Sequence, residues 1–99
     1  MKIIIAGAGD LGSHLAKLLS SESHDIYLID QNEERLNTIS SQIDVFTIAG
    51  DAKSVEIMEQ KLISSCDLLI AVTSSEETNM LICILGKMNG KGLNNYGSF

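Results

Sequence analysis

The chain has 99 residues and a net charge of −6, so we expect one domain with a modest core and no second catalytic domain. Seven basic residues against thirteen acidic ones disfavour direct contact with nucleic acid or an anionic lipid surface. The longest apolar runs have about six residues, far fewer than the roughly twenty that cross a bilayer, and residues 1–6 are too short for a signal peptide. We therefore expect a cytoplasmic chain in which Cys66 and Cys83 are free, small apolar residues.

Short apolar runs alternate with amphipathic segments along the chain. The runs that predict strands buried on both faces are residues 2–6, 25–29, 45–49 and 68–72. Helical periodicity predicts helices at about residues 10–21, 33–42 and 54–62. This alternation predicts an α/β fold: a Rossmann-like parallel sheet flanked by helices, with strand order 3-2-1-4 and a ligand at the carboxyl ends beside the first strand.

A glycine-rich loop, Gly7-Ala8-Gly9-Asp10-Leu11-Gly12, connects the first predicted strand to the first predicted helix. The three glycines of such a loop allow a tight turn, a close approach of the backbone to a pyrophosphate, and close packing of the helix on the strand. The start of the helix adds unpaired amides and a partial positive charge, which stabilise a phosphate group. The pattern is short and also arises by chance, so it needs support from elsewhere in the chain.

Asp30 gives that support, because it ends the second predicted strand about eighteen residues after Gly12. A carboxylate at this position accepts hydrogen bonds from the ribose hydroxyls of an adenosine and repels a 2′-phosphate, which favours NAD over NADP. A helix N-cap is the structural alternative for Asp30, and the two roles are compatible. Arg35 follows one turn into the next helix, where we expect a solvent-exposed arginine.

Polar residues also follow the third and fourth predicted strands. Asp51 is placed to reach the adenine or ribose side of a nucleotide, and Thr73 to offer its hydroxyl or amide to the phosphates or the distal ribose. Structural roles are equally compatible with the pattern, since Gly50-Asp51 is a typical turn and Ser74 or Ser75 is a typical helix cap. Both interpretations stay open at this point.

Four blocks of the chain carry a resemblance to a known family: MKIIIAGAGDLGSHLAKLL at the start, IYLID ending in Asp30, AGDA at residues 49–52, and LLIAVTSSEETNMLICILGK at residues 68–87. The last block is the most specific, because an AVT turn followed by a polar pair and ETNM is unusual among dinucleotide folds. Together the blocks resemble the N-terminal domain of regulators of potassium conductance, most closely the peripheral nucleotide-binding subunits of Trk-type potassium uptake systems. The resemblance spans roughly residues 1–88.

This resemblance implies a cytoplasmic, non-catalytic sensor that binds NAD or NADH, or in related members ATP or ADP. It also implies a potassium-translocating membrane subunit as the partner, with the sensor peripheral on the inner face of the membrane. The implied nucleotide contacts are Gly7, Ala8, Gly9, Asp10, Leu11 and Gly12 for the phosphates, Asp30 for the ribose, and Asp51, Thr73 and Ser74. Members that bind triphosphates often carry a basic residue where this chain has Asp10, and that difference disfavours ATP more than NAD.

The C-terminal part of the chain departs from the family pattern. Residues 86–99 contain four glycines and three asparagines, with no clear strand pattern and no match for the basic residue of the family's fifth strand. We therefore expect a nucleotide-binding domain at residues 1–88 and a flexible or atypical tail at residues 89–99.

The apolar run at residues 80–85 predicts a helix that needs cover on every side. Full-length relatives pair their domains through this region, so the resemblance implies a homodimer with Met80, Ile84 and Lys87 near the contact. A helix packed wholly in the core of one chain is the alternative.

Catalysis has no clear signature in the sequence. His14 and His24 are isolated, and we find no nucleophile elbow and no metal-binding motif. The competing hypothesis is the cofactor-binding half of an NAD-dependent dehydrogenase, whose substrate anchor would come from another domain. A methyltransferase-like adenosyl binder is a third hypothesis, but the ETNM block does not support it.

Overall fold

The computed structural model describes residues 1–54, 65–89 and 94–97. Its elements in chain order are β1 (Lys2–Ala6), α1 (Asp10–Ser20), β2 (Asp25–Asp30), α2 (Glu33–Ser40), β3 (Phe46–Ala49), β4 (Leu68–Ala71), α3 (Glu76–Asn89) and β5 (Asn94–Gly97). The strands form one parallel sheet in the order β3-β2-β1-β4-β5. The predicted α/β fold and the order 3-2-1-4 are confirmed. Residues 55–62, most of the helix predicted at 54–62, lie outside the described residues.

The central strand β1 is buried on both faces because its side chains alternate between two core clusters. Ile3 and Ile5 pack on the side of α1 and α2, whereas Ile4 and Ala6 pack on the side of α3. All four side chains are at most 1% exposed. This two-sided burial explains why the strand reads as a continuous apolar run.

A fifth strand is present where the sequence pattern does not predict one. Residues 94–97 run parallel to β4, with Leu68 opposite Asn94 and Ala71 opposite Gly97. An edge strand is held by backbone hydrogen bonds along one side, so it needs no apolar pattern of its own. Within the stretch that we expected to be a tail, Asn89 therefore ends α3 and residues 94–97 belong to the sheet.

Of the two cysteines, Cys66 lies in the core and Cys83 is half-buried. Burial raises the pKa of the Cys66 thiol to about 11, and it also raises the pKa of Cys83. Both thiols are therefore protonated near neutral pH and pack as small apolar groups. Among the described residues, no helix has the length and apolar character to cross a membrane.

Candidate functional site

A cleft of about 410 Å³ opens at the carboxyl ends of the strands, within the range of small-molecule sites. Ala6 at the end of β1 pairs with Ile29 of β2 and Ala71 of β4, so the loops that follow these strands begin side by side. Six of the ten predicted site residues line the cleft: Gly7, Gly9, Asp30, Asp51, Thr73 and Ser74.

The other four predicted site residues lie outside this lining. Ala8 and Gly12 are buried within the fold, while Asp10 and Leu11 are exposed to solvent outside the cleft. Asp10 occupies the first turn of α1, where a carboxylate interacts favourably with the helix dipole. Because Asp10 is exposed and away from the lining, its repulsion of a bound phosphate is weaker than the sequence alone indicates.

The three loop glycines have different surroundings. Gly7 has a φ of +113°, and a Cβ there would lie 2.8 Å from the carbonyl oxygen of Val72, so the position requires glycine. A Cβ on Gly12 would overlap the Gly7 carbonyl oxygen, which shows how closely α1 packs on the loop. By contrast, nothing lies within 4 Å of a Cβ on Gly9. The missing side chain of Gly9 therefore leaves open space at the edge of the cleft rather than relieving a contact.

The first turn of α1 begins at Gly9, which as N-cap offers no side-chain hydrogen bond to the helix. The other described helices differ: Asn32 caps α2 by accepting from the Arg35 amide, and Ser75 Oγ accepts from the Thr78 amide at the start of α3. The amides at the start of α1 are thus without a side-chain acceptor of that kind, and a phosphate oxygen is a suitable one.

Asp30 joins the end of β2 to the glycine loop. Its Oδ2 accepts a hydrogen bond from the Ala8 amide at 2.7 Å, and its Oδ1 accepts from the Asn32 amide at 2.7 Å. Each carboxylate oxygen keeps a further lone pair, so ribose hydroxyls remain possible donors to it. The N-cap alternative for Asp30 is wrong, because the cap of α2 is Asn32.

Asp51 forms a turn as well as lining the cleft. Its Oδ1 accepts from the Lys53 amide at 2.9 Å, and its Oδ2 lies 3.8 Å from Lys53 Nζ. The turn that the sequence predicts as the structural role of Gly50-Asp51 is therefore present in the fold. Its exposure in the cleft leaves the ligand role open as well.

Two cationic residues line the cleft that the sequence analysis did not assign to it, Arg35 and Lys53. Arg35 is exposed, as expected for its helix position, yet it borders this cleft and also a more open one beside Ala8 and Ser13. With Asp30 and Asp51 they balance the charge of the lining, although the whole chain is strongly acidic. Because the lining has no net negative charge, it does not repel the negative charge of a diphosphate as the acidic chain as a whole would. The periodicity of α2 places Arg35 near Asp30, whereas no pattern in the sequence points to Lys53.

The turn between β4 and α3 is fixed by Asn79, a buried polar residue that is 1% exposed. Asn79 Oδ1 accepts from the Thr73 amide at 2.8 Å and from the Thr73 hydroxyl at 2.6 Å, and Asn79 Nδ2 donates to the Thr73 carbonyl at 3.2 Å. The two Thr73 donors that we predicted for a ligand are therefore used inside the protein. Sequence reasoning found the ETNM block but gave no role to Asn79, because the contact depends on how α3 folds back onto the turn.

The arrangement has the features that suit an adenosine diphosphate-type ligand. It combines uncapped helix amides, a ribose-type acid and balanced charge in one cleft. In the part of the chain that the structure describes, no group of three metal-binding side chains comes together.

Comparison with known proteins identifies related sequences. The TrkA-N domain family model matches residues 3–95. A Trk system potassium uptake protein TrkA homolog of Pyrococcus abyssi is 40% identical over 87 residues, which are 88% of this chain and 38% of the relative. The Trk system potassium uptake protein TrkA of Haemophilus influenzae is 40% identical over 86 residues, 87% of this chain and 19% of the relative. The chain thus spans well under half the length of these relatives.

Solved structures share the fold at lower identity. The TrkA-N domain of the inner membrane protein ybaL from Escherichia coli aligns with a TM-score of 0.87 at 18% identity, covering 97% of this chain and 70% of that one. The GsuK channel bound to NAD aligns with a TM-score of 0.81 at 15% identity, covering 99% of this chain and 18% of that one. The Shewanella denitrificans Kef CTD in AMP bound form aligns with a TM-score of 0.80 at 23% identity, covering 98% of this chain and 58% of that one.

Proposed function

Because the chain belongs to the TrkA-N domain family, we propose that it is an NAD(H)-binding regulatory domain of a potassium uptake system. The observation that carries the proposal is Asp30, whose carboxylate joins the glycine loop to the end of β2 at the edge of the cleft. In the proposed site, the Asp30 carboxylate accepts hydrogen bonds from the ribose, and the amides at the start of α1 bind the diphosphate. The similarity to a channel bound to NAD supports the same ligand.

NAD or NADH is the favoured nucleotide, with ATP or ADP as the alternative. Asp30 disfavours a 2′-phosphate, which argues against NADP. The glycine loop lacks a basic residue for a third phosphate, since its polar position is Asp10. The similarity to a domain in an AMP bound form agrees with adenosine recognition in general, without selecting the rest of the ligand.

The role we propose is regulatory and not enzymatic. Relatives named as Trk potassium uptake proteins support it, but the fold by itself does not decide between a sensor and the cofactor half of a dehydrogenase. A dehydrogenase would need a proton donor and a substrate anchor next to the nicotinamide. Hydride transfer to a substrate by a protein containing this domain would favour the dehydrogenase.

The proposed partner is a potassium-translocating membrane subunit, bound at the cytoplasmic face of the membrane. We also propose that the domain forms a homodimer through α3. That helix exposes three large apolar side chains, Met80, Leu81 and Ile84, at 52%, 42% and 51%, and Lys87 is exposed at the same end. Exposed apolar side chains clustered on one helix favour association. Different nucleotides would then shift the population between two arrangements of paired domains and so act on the membrane subunit.

Calorimetric titration of the chain with NAD, NADH, ATP, ADP and S-adenosylmethionine tests the ligand. We expect NAD or NADH to bind more tightly than the other three. Asp30→Ala removes the ribose acceptor, and we expect it to lower NAD affinity by about tenfold or more, the loss for one or two hydrogen bonds to a charged group.

The control is Asp25→Ala, which removes the same charge from the exposed start of the same strand. We expect this variant to bind NAD as the unchanged chain does. An unchanged affinity in Asp30→Ala, or much tighter binding of ATP than of either dinucleotide, would contradict the proposal.

A further inference from the structure

Asn79 connects the cleft to the interior of the fold. It lies in the first half of α3, and its side chain makes three hydrogen bonds to Thr73, through the amide, hydroxyl and carbonyl of that residue. Its own backbone amide donates to the Ser75 carbonyl at 3.0 Å. The turn from Thr73 to Ser75 is therefore held from one side by a single buried residue.

This attachment decides which group of the turn is available to a ligand. Thr73 donates its amide and hydroxyl to Asn79. Ser75 donates its amide to Thr73 Oγ1, and its hydroxyl oxygen accepts from the Thr78 amide at the start of α3. Ser74 lies between them, is exposed, and lines the cleft. Among the described residues no hydrogen bond engages its amide or hydroxyl, so Ser74 is the residue of this turn that keeps both of its donors for a ligand.

The same attachment fixes the turn against the glycine loop. A Cβ on Gly7 would lie 3.0 Å from the Thr73 amide nitrogen, so the two backbones are in direct contact. The Val72 amide also donates to the Ala6 carbonyl at 2.9 Å. The turn after β4 therefore borders the loop that we assign to the diphosphate, on the side away from Asp30.

We propose that Asn79 is a positioning residue which holds the Thr73–Ser75 turn so that Ser74 donates to the half of the dinucleotide distal to the adenosine. Asp30 lies on β2, on one side of β1, and the turn follows β4, on the other side. A ligand whose ribose is at Asp30 and whose diphosphate is at α1 carries its second nucleoside toward β4. The inference rests on the proposed binding of NAD in this cleft.

The test compares two ligands that share one half. Calorimetry with NAD and with AMP is carried out on the unchanged chain and on Asn79→Ala, Ser74→Ala and Leu69→Ala. We expect Asn79→Ala to lower NAD affinity by about tenfold, the equivalent of one or two hydrogen bonds, while AMP affinity stays within about twofold. Ser74→Ala, at an exposed position that does not threaten folding, should lower NAD affinity by a few fold and leave AMP binding unchanged.

Leu69→Ala is the matched control for lost stability, since Leu69 is fully buried in β4 and does not line the cleft. It should lower the melting temperature without changing the ratio of the two affinities. Equal losses of NAD and AMP binding in Asn79→Ala, or an unchanged ratio in Ser74→Ala, would overturn the inference. Failure of the unchanged chain to bind NAD would instead overturn the proposed function.

Discussion

Asp30 has a structural role as well as the proposed ligand role, because both of its carboxylate oxygens accept backbone amides. Removing the side chain leaves the amide of buried Ala8 without this acceptor, which costs about 1–3 kcal/mol of unfolding free energy. The Asn32 amide is exposed and can bond to water instead. A loss of ligand binding in Asp30→Ala therefore needs a stability measurement beside it. The charge-matched control at Asp25 tests the electrostatic part of the effect and not the structural part.

Gly9 and Gly12 offer a test that separates packing from ligand binding. Gly12→Ala places a methyl group on the Gly7 carbonyl oxygen, so we expect the unfolding free energy to fall by more than about 3 kcal/mol. Gly9→Ala meets no atom within 4 Å, and at a helix N-cap it should cost about 1 kcal/mol or less. Its methyl group would nevertheless enter the cleft, so we expect a folded protein with at least about tenfold weaker NAD binding.

Thermal denaturation and calorimetry of both variants check this prediction. A stable Gly12→Ala protein would mean that α1 lies farther from the loop than the structure indicates. Unchanged NAD binding in Gly9→Ala would place the diphosphate elsewhere.

Residues of the site were predictable where a local pattern defines them. The glycine spacing and the acid at the end of β2 are such patterns, and they placed Gly7, Gly9 and Asp30 at the cleft. Lys53 and Asn79 were not predictable in this way. Their roles depend on a turn and on a helix packing back onto a loop, and neither arrangement has a signature in neighbouring residues.

The starts of the helices differ in whether a side chain accepts a hydrogen bond from their first backbone amides. Side chains cap the starts of α2 and α3, at Asn32 and Ser75, but no side chain caps α1 at Gly9. The capped starts hold the fold together, and the uncapped one is where an anion is best bound.

Asn32→Ala tests the cap of α2. Loss of the side-chain oxygen that accepts from the Arg35 amide should lower the unfolding free energy by about 1 kcal/mol and the melting temperature by about 5 °C. The control is Asn37→Ala, an exposed position within the same helix, where alanine should leave stability unchanged or raise it slightly. Equal melting temperatures for the two variants in thermal denaturation would contradict the cap.

The strands were predictable because they are buried on both faces, so apolar runs marked β1 to β4 within one residue of their observed ends. β5 was not predictable by that reasoning. It pairs with β4 on one side, and residues 94–97 contain little apolar surface to give a signal.

At the scale of the whole molecule, the feature that bears on assembly is the exposed apolar surface of α3. Ile82 on this helix is fully buried against the sheet, whereas Met80 and Ile84 are half exposed. The helix is therefore neither wholly in the core nor wholly on the surface, which is the pattern of an element that serves two contacts.

Ile84→Lys tests the proposed dimer. We expect the unchanged chain to sediment as a dimer at micromolar concentration and the variant to shift toward the monomer, because a charge would have to be buried at the contact. The control is Leu18→Lys on α1, where an equally exposed leucine, 54% against 51%, lies outside the proposed contact. A monomeric unchanged chain, or equal loss of association in both variants, would contradict the prediction.

The hold of Asp30 on the glycine loop has a thermodynamic consequence for recognition. The carboxylate is already fixed by two backbone amides, so the adenosine end of the cleft is preorganised and a ligand spends little entropy on ordering it. That end is chemically the same in NAD, NADH, ATP and ADP. In the proposed binding mode, preference among these ligands therefore comes from contacts beyond the adenosine, at the glycine loop and where the chain leaves the sheet toward α3.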